Sequence, residues 1–418
     1  MLSLEDFRGI VPDERLAEIY ARARGLYGRH IVHINSTYQG GGVAEILHSL
    51  VLLMNDVGVR TGWRILHGSP DFFNVTKKFH NALQGAGLNL SERKKQLYLQ
   101  TNDHFSRFTH IDHDCVVVHD PQPLPLIRSY KKEQPWIWRC HIDLTDPHPQ
   151  LWDFLKGFLL KYDQIVISSE RYFKDDLPVD QRLMCPAINP LTLKNKELDE
   201  KTILKYVRKA GIPTDKPVIT QVSRLDPWKD PEGVLDVFAR VKEKVDCRLV
   251  FCYNLASDDP EGMLMYNKIQ RRAKRWVESG DVLFVVGNNE ILVNCIQRFS
   301  SVIIQKSIRE GFCLAVTEAL WKGTPVVASN VGGIPSQIED GKNGFLLEPK
   351  DTEGFVDRIV HLLKNPDEGQ RLGREAKETV RKKFLITRLL SDHLDMLNAI
   401  MHGCGPLEIR EVRPIVPN

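Results

Sequence analysis

Short runs of β-branched and apolar residues recur along the chain, each followed by a longer stretch with helical periodicity. The first run is residues 30–35 (HIVHIN), followed by a glycine loop and a helix near residues 43–55. Residues 64–68 (RILHG) read as the next strand, and 114–119 (DCVVVH), 135–141 (PWIWRCH) and 164–168 (QIVIS) continue the series. Runs of this length, each followed by a helical period, predict parallel strands in βαβ units. The pattern breaks at residues 184–196 (MCPAINPLTLKNK), which hold two prolines and no clear period. A helix-like stretch at 198–209 and Gly-Ile-Pro at 211–213 follow, and the domain boundary is placed in this region. A second series then begins, with strands at 217–223 (PVITQVS), 248–253 (RLVFCY), 282–286 (VLFVV), 302–305 (VIIQ) and 325–329 (PVVAS). Helical stretches from about 352 to 401 close the chain, and the tail after Gly403 is Pro-rich and reads as irregular.

The fold class is therefore α/β: two Rossmann-like, doubly wound domains facing across a cleft, residues 1–190 and 210–385. The last helix, about 386–402, is expected to cross back and complete the first domain. Open parallel sheets bind ligands at the carboxyl ends of their strands, which places the site in the cleft.

Composition narrows the class. The 418 residues are 42% hydrophobic and 27% charged, enough for full cores without staples, and the net charge of +3 is too small to imply a nucleic-acid partner. The eight cysteines are scattered, lack any C-x-x-C pair and mostly sit in apolar runs, so they read as reduced, buried thiols. The N-terminus carries acids early and lacks an apolar h-region, and no apolar run approaches the ~18 residues a membrane span needs. The expectation is a cytoplasmic enzyme without a membrane partner; a homodimer stays open.

Three features at strand ends carry candidate chemistry. Gly40-Gly41-Gly42-Val43 lies between a strand and a helix, where free backbone N–H groups suit an anion, although Glu45 stands where a dinucleotide fingerprint needs its third glycine. By itself this loop reads equally well as a flexible turn. Arg224 and Lys229 share one loop (SRLDPWKDPEG) after a strand, with Pro231 at a helix start. They suit the phosphate oxygens of a leaving diphosphate, against the alternative of a solvated loop pairing with Asp226 and Asp230. The strongest feature is KSIREGFCLAVTEALWKGTPVVAS, with Glu310 in the loop and Glu318 on the helix, spaced E-x7-E. Gly311, Phe312, Cys313 and Leu314 open that helix, whose positive end suits a diphosphate. Glu318 is placed to accept from a ribose diol and Glu310 to reach the sugar.

This string resembles the C-terminal signature of glycosyltransferase family 4, as do Val331-Gly332-Gly333-Ile334-Pro335, Asp340-Gly341-Lys342-Asn343-Gly344 and Arg224…Lys229 upstream, over roughly residues 218–348. The resemblance implies the GT-B fold, a nucleotide-sugar donor, and retention of anomeric configuration with neither a bound metal nor another cofactor. It matches Arg224 and Lys229 to the diphosphate pair and Glu310 and Glu318 to the family's two glutamates. In the first half, VVHDPQPL (117–124) and WRCHIDLTD (138–146) resemble the trehalose synthase group in its glycosyltransferring branch. That branch joins glucose from a nucleoside-diphosphate glucose to free glucose, giving α,α-trehalose, in a reaction open to reversal. The resemblance makes residues 1–190 the acceptor domain and 210–385 the nucleotide-sugar domain, and matches His141 to the family's active-site histidine.

Alternation along 135–141 puts Trp136, Trp138 and Cys140 on one face and Ile137, Arg139 and His141 on the other, with the tryptophans read as core. His119 and Asp120 end a strand and are candidate acceptor ligands, as are Asp143 and Gln39; Gly41 and Gly42 are candidates for the donor. The D-x-D of Asp112-His113-Asp114 falls at a strand's amino end and reads as a solvated loop, and no zinc spacing occurs. Glu310 and Glu318 do not read as the close carboxylate pair of a retaining glycosidase. No lysine lies in the loop preceding Gly40, unlike the Lys-x-Gly-Gly loop of polymer synthases, and Arg128, Lys131 and Lys132 read as a solvated face. Other family 4 activities remain as alternatives: a trehalose phosphorylase, a sucrose-type synthase or a lipid-directed transferase. So does a nucleotide-sugar epimerase or a silent nucleotide-binding protein of the same architecture.

Overall fold

The computed structural model describes residues 2–254 and 260–402, so the tail after Gly403 and Cys404 lie outside the described residues. The first half runs α1 (Asp13–Ala23), β1 (His30–Asn35), α2 (Gly42–Asp56), β2 (Arg60–Ile65), α3 (Pro70–Leu83), α4 (Glu92–Phe108), β3 (Cys115–His119), β4 (Trp136–Arg139), α5 (Pro149–Leu159), β5 (Gln164–Ile167) and β6 (Asp180–Leu183). The second runs α6 (Glu200–Lys209), β7 (Val218–Arg224), α7 (Pro231–Lys244), β8 (Arg248–Asn254), α8 (Pro260–Arg272), α9 (Lys274–Glu278), β9 (Val282–Val286), α10 (Glu290–Phe299), β10 (Val302–Gln305), α11 (Leu314–Trp321), β11 (Val326–Ser329) and β12 (Phe345–Leu347). It ends with α12 (Thr352–Lys364), α13 (Pro366–Lys383) and α14 (Ile386–His402).

Each half builds one six-stranded parallel sheet, ordered β2-β1-β3-β4-β5-β6 and β12-β11-β10-β7-β8-β9. The second order is the dinucleotide-fold order read from its other edge; the first is the flavodoxin-like variant of the same doubly wound plan. In both, the order reverses at one point, between β1 and β3 and between β7 and β10. Crevices open at the carboxyl ends of strands where the winding reverses. Every candidate loop follows one of these four strands or β4 beside them.

The apolar strands formed where the sequence pattern places them, because strands covered on both faces by helices must be apolar throughout. β1, β3, β4, β5, β10 and β11 are buried along nearly their whole length. The strand expected at 64–68 lies earlier, at Arg60–Ile65, its half-exposed, polar start hiding it. The edge strands β6 and β12 carry no such signal. β6 is Asp-Gln-Arg-Leu, and β12 is three residues long.

Trp136 and Trp138 are fully buried in a core with Phe72 and Phe79, whereas Ile137 packs on the opposite face, as alternation predicts. The chain crosses between the halves twice, side by side: Ile188 N–H donates to Phe384 O (2.9 Å) and Ile386 N–H to Ile188 O (2.8 Å). Beyond the second crossing, α14 packs against α1 and α2, with Arg22 paired to Asp395 at 2.8 Å. All seven described cysteines are free thiols.

Candidate active site between the two sheets

Two helices aim their amino ends at the same place. α2 begins at Gly42 after Gly41 (φ 101°), and α11 begins at Leu314 after Cys313 (φ 75°). Neither has a side-chain cap, so the first-turn N–H groups are unclaimed by side chains there. A β-carbon on Gly42 would lie 2.9 Å from Leu314 Cδ1, so the two ends nearly touch. Gly41, Gly42, Cys313 and Leu314 all keep some exposure, but Phe312 is buried against Phe384, so only its backbone can serve a ligand. Two converging positive helix ends make a strongly anion-favouring region.

Cations reinforce it. Lys229, on the loop after β7, forms an ion pair and hydrogen bond with Glu310 on the loop after β10. A second bond joins the same loops in the reverse sense, Lys306 Nζ to Asp230 Oδ2 at 2.5 Å. Burial pulls Lys229 toward neutrality, but the Glu310 carboxylate more than offsets this and raises its pKa. Arg224 is half-exposed, with a guanidinium nitrogen 3.3 Å from Asp226. Asp230, the other acid considered as its partner, binds Lys306 instead. From the first half, α3 brings His80 to this group, its pKa lowered to about 3 by burial and by Arg224, Lys77 and Lys229. Sequence reasoning missed His80, Lys306 and Lys194, since no local pattern marks them.

The three non-glycine residues with positive φ among those described are Asp120, Asp230 and Cys313. All three stand at these strand or helix ends. Such strain costs of order 1–3 kcal/mol each and gathers where geometry serves a ligand. Asp120 shows how it is held: its N–H donates to Arg139 O (2.9 Å), its carbonyl accepts from Trp138 Nε1 (2.9 Å), and its Oδ1 accepts from His141 N–H (2.8 Å). Burial raises the Asp120 pKa to about 7.

His141 follows β4 by two residues and keeps part of its surface exposed. Its Nε2 lies 3.0 Å from His119 Nδ1, and His119 Nε2 lies 2.9 Å from His33 Nδ1. This corrects the expectation for His119. Both its ring nitrogens are taken and it is 3% exposed, so it has none left for an acceptor sugar. Asp143 is likewise 1% exposed, with Oδ1 accepting from Thr145 N–H at 2.8 Å, and presents no surface to the cleft. Gln39 is exposed on the loop before α2, with its carbonyl accepting from Thr37 Oγ1 at 2.5 Å.

The Val331–Pro335 glycines seat the Glu310–Gly311 peptide. A β-carbon on Gly332 would lie 1.7 Å from Glu310 O, one on Gly333 2.7 Å from Gly311 O, and one on Gly311 2.0 Å from His141 O. Across the cleft, Tyr172 Oη lies 2.7 Å from Glu310 O and 2.9 Å from Gly311 O, sharing one proton between two carbonyls. Tyr172→Phe deprives both of that donor. A lost hydrogen bond to a buried carbonyl costs about 1–3 kcal/mol. The expected result is a fall in kcat/KM of about tenfold with the secondary structure unchanged, measured by steady-state kinetics and circular dichroism.

Glu318 is buried, 1% exposed, and Lys194 Nζ covers its carboxylate at 2.9 Å while also reaching Glu45 at 3.0 Å. The helix position of Glu318 alone could not reveal this ammonium over its carboxylate. Beside it lies a cavity of about 300 Å³ lined by Lys194, Glu45, Glu290, Asn189 and Leu314. The Asp112-His113-Asp114 segment is elsewhere: Asp114 accepts from His30 N–H (2.7 Å) and pairs with Arg29 (3.0 Å) at the amino end of the sheet. Arg128, Lys131 and Lys132 pair with Asp103, Glu133 and Asp163. Among the described residues no helix is long and apolar enough to cross a membrane.

Comparison with known proteins returns two family matches: "Trehalose synthase, N-terminal domain" over residues 33–174 and "Glycosyl transferases group 1" over 203–379. A trehalose synthase of Thermococcus litoralis is 46% identical over 400 residues, covering 95% of this chain and 97% of that one. One from Rubrobacter xylanophilus is 41% identical over 413 residues, covering 96% and 97%. Among solved structures, a sucrose-phosphate synthase from Thermosynechococcus elongatus superposes with a TM-score of 0.73 at 17% identity, over 90% of this chain and all of that one. That likeness speaks for the GT-B fold.

Proposed function

Because this chain belongs to the trehalose synthase family and is a trehalose-related glycosyltransferase of GT-B fold, we propose that it makes α,α-trehalose from a nucleoside-diphosphate glucose and free glucose, with retention. The observation carrying this reading is the convergence of two uncapped helix ends with Lys229 and Arg224 beside Glu310. That is a receptacle for a diphosphate with a carboxylate at its sugar end.

The diphosphate sits on the first-turn N–H groups of α11 and against Lys229 and Arg224, and the nucleoside extends toward Lys194 and Glu318. As the bond from glucose C1 to the phosphate oxygen breaks, negative charge grows on that oxygen, where preorganised donors act most strongly. The acceptor's hydroxyl oxygen attacks C1 from the same face, and its proton passes to the departing phosphate oxygen. The new bond thus keeps the anomeric configuration, with no covalent enzyme intermediate. His141 and Glu310 contact the transferred glucose; Asp120 and Gln39 lie on the acceptor side. No metal or other cofactor takes part, and the enzyme works in the cytoplasm on small molecules.

The reading is tested by incubating the protein with several nucleotide-glucoses and offering glucose, glucose 6-phosphate, fructose or phosphate as partner. A non-reducing disaccharide formed with glucose alone is expected. Product formed only with glucose 6-phosphate or with fructose assigns the neighbouring activities instead.

A further inference from the structure

Behind His141 runs a file of imidazoles that no catalytic role uses. His33 on β1, His119 at the end of β3 and His141 after β4 are linked by N···N contacts of 2.9 and 3.0 Å. Their ring centroids are 5.2 and 5.3 Å apart, each longer than its N···N contact by about two ring radii, so each bond runs nearly in line with the two rings it joins. Beyond His33 stands His393 of α14, with ring centroids 6.0 Å apart and Nδ1 donating to Leu389 O at 2.9 Å. The charged neighbours are Arg139, whose guanidinium donates to the carbonyls of Ile167 and Met184, and Asp120, which holds the His141 N–H. Burial, then the adjacent rings and Arg139, hold His119 far below the ordinary imidazole range. His141 is lowered too, by burial and Arg139, and His33 is brought to about 3 by burial and His393. All three rings are therefore neutral, with one proton each.

Neutrality leaves two arrangements. The protons run either from His33 toward His141 or the reverse, because each N···N contact takes one donor and one acceptor. The free end of the file decides between them. His33 Nε2 is buried and meets no hydrogen-bond partner among the described residues. Among backbone groups, a buried N–H without an acceptor is rarer in native structures than an unsatisfied acceptor, and the same preference is carried over to the ring nitrogen. The proton of His33 is therefore on Nδ1, donating to His119 Nε2. His119 in turn carries its proton on Nδ1 and donates to His141 Nε2. His141 is left with its proton on Nδ1.

We infer that His33 and His119 are positioning residues that fix His141 as its Nδ1–H tautomer, so that the ring presents a hydrogen-bond donor to the cleft. A donor there recognises a hydroxyl oxygen of a sugar and rejects a group that offers donors alone, such as an ammonium. The tautomer follows from the file alone; its use on a sugar rests on the transfer reading above.

The two parts separate experimentally. With the full chain labelled with ¹⁵N in its imidazoles, long-range ¹⁵N–¹H correlation spectra near neutral pH report which ring nitrogen carries the proton, whatever the enzyme's substrate. Nδ1–H on His33, His119 and His141 is expected, and Nε2–H on His141 overturns the inference. Kinetics supply the second readout. His33→Asn keeps an N–H near the Nδ1 position, whereas His33→Leu removes the donor and lets the file reverse. His33→Leu is expected to lower kcat about tenfold, the scale of one hydrogen bond, with the KM for the acceptor nearly unchanged. His33→Asn is expected to retain most of kcat. A purely structural role predicts the opposite order, because leucine suits a buried site better than asparagine, so His33→Leu as active as His33→Asn overturns the inference. Absence of transfer from any nucleotide-glucose, with the Nδ1–H spectrum intact, sinks the function and leaves the tautomer standing.

Discussion

Lys229→Ala lowers kcat by about 10²–10³-fold, the range seen when one preorganised donor to a developing charge is removed. The loss falls on kcat as well as on donor binding, since the charge Lys229 meets is larger in the transition state than in the bound donor. Its placement makes the effect large. Lys229 is mostly buried, faces the mouth of α11 and is held by Glu310. Glu310→Ala is expected to be comparably inactive, because it removes the group at the sugar end and frees the lysine from its fixed position. Stability separates this from mere unfolding. Each single variant leaves one buried charge without its partner, an arrangement that costs up to about 3–5 kcal/mol when burial is complete and less at a cleft. The Lys229→Ala/Glu310→Ala double variant leaves neither charge, so its Tm lies above the lower of the two singles while its kcat remains lost. Near-normal transfer by both single variants would overturn the role assignment.

Gly311→Ala is the second large effect, and it acts through shape rather than charge. The added methyl group would sit 2.0 Å from His141 O, a backbone atom of the facing domain, with Ile142 Cα 3.5 Å away. Real β-carbons do not approach so closely, so the loop and the β4 end must separate. Overpacking of this kind costs typically 1–3 kcal/mol. Since the same approach brings Glu310, Lys229 and His141 together, that cost appears in kcat/KM, a loss of about 5–150-fold by the usual conversion. Gly157→Ala is the control, because nothing lies within 4 Å of a β-carbon there and alanine favours its helix, α5. It is expected to leave both activity and Tm near the parent values. Donor saturation that restores full kcat to Gly311→Ala would show that the contact governs binding alone.

The strands were legible wherever burial on both faces demands unbroken apolar runs. β1 and β10 formed over the residues the pattern indicates, and Trp136 and Trp138 went to the core face that alternation assigns. β6 and β12 were not legible, because β6 is polar (Asp-Gln-Arg-Leu) and β12 is only three residues long, whereas the edge strand β9 keeps a five-residue apolar run and was found. The same limit applies to the site. Glu310, Lys229 and Gly311 stand in local strings of strand, loop and helix, so they could be singled out one by one. His119 and Asp143 occupy equally suggestive strand-end positions, yet each is spent on a neighbour: His119 between two imidazoles, Asp143 on the Thr145 N–H.

The sequence by itself determined two parallel α/β halves, the strand ends that carry chemistry, and a signature resembling that of glycosyltransferase family 4. These depend on periodicity and local order, which neighbouring residues define together. Tertiary structure alone decided which loops meet: Lys229 with Glu310, 81 positions apart, Tyr172 with the Glu310 carbonyl across 138, and His33 with His119 across 86. Strand order and the two chain crossings set those pairings. Hydrogen bonds and ion pairs act over a few ångströms of space without regard to distance along the chain.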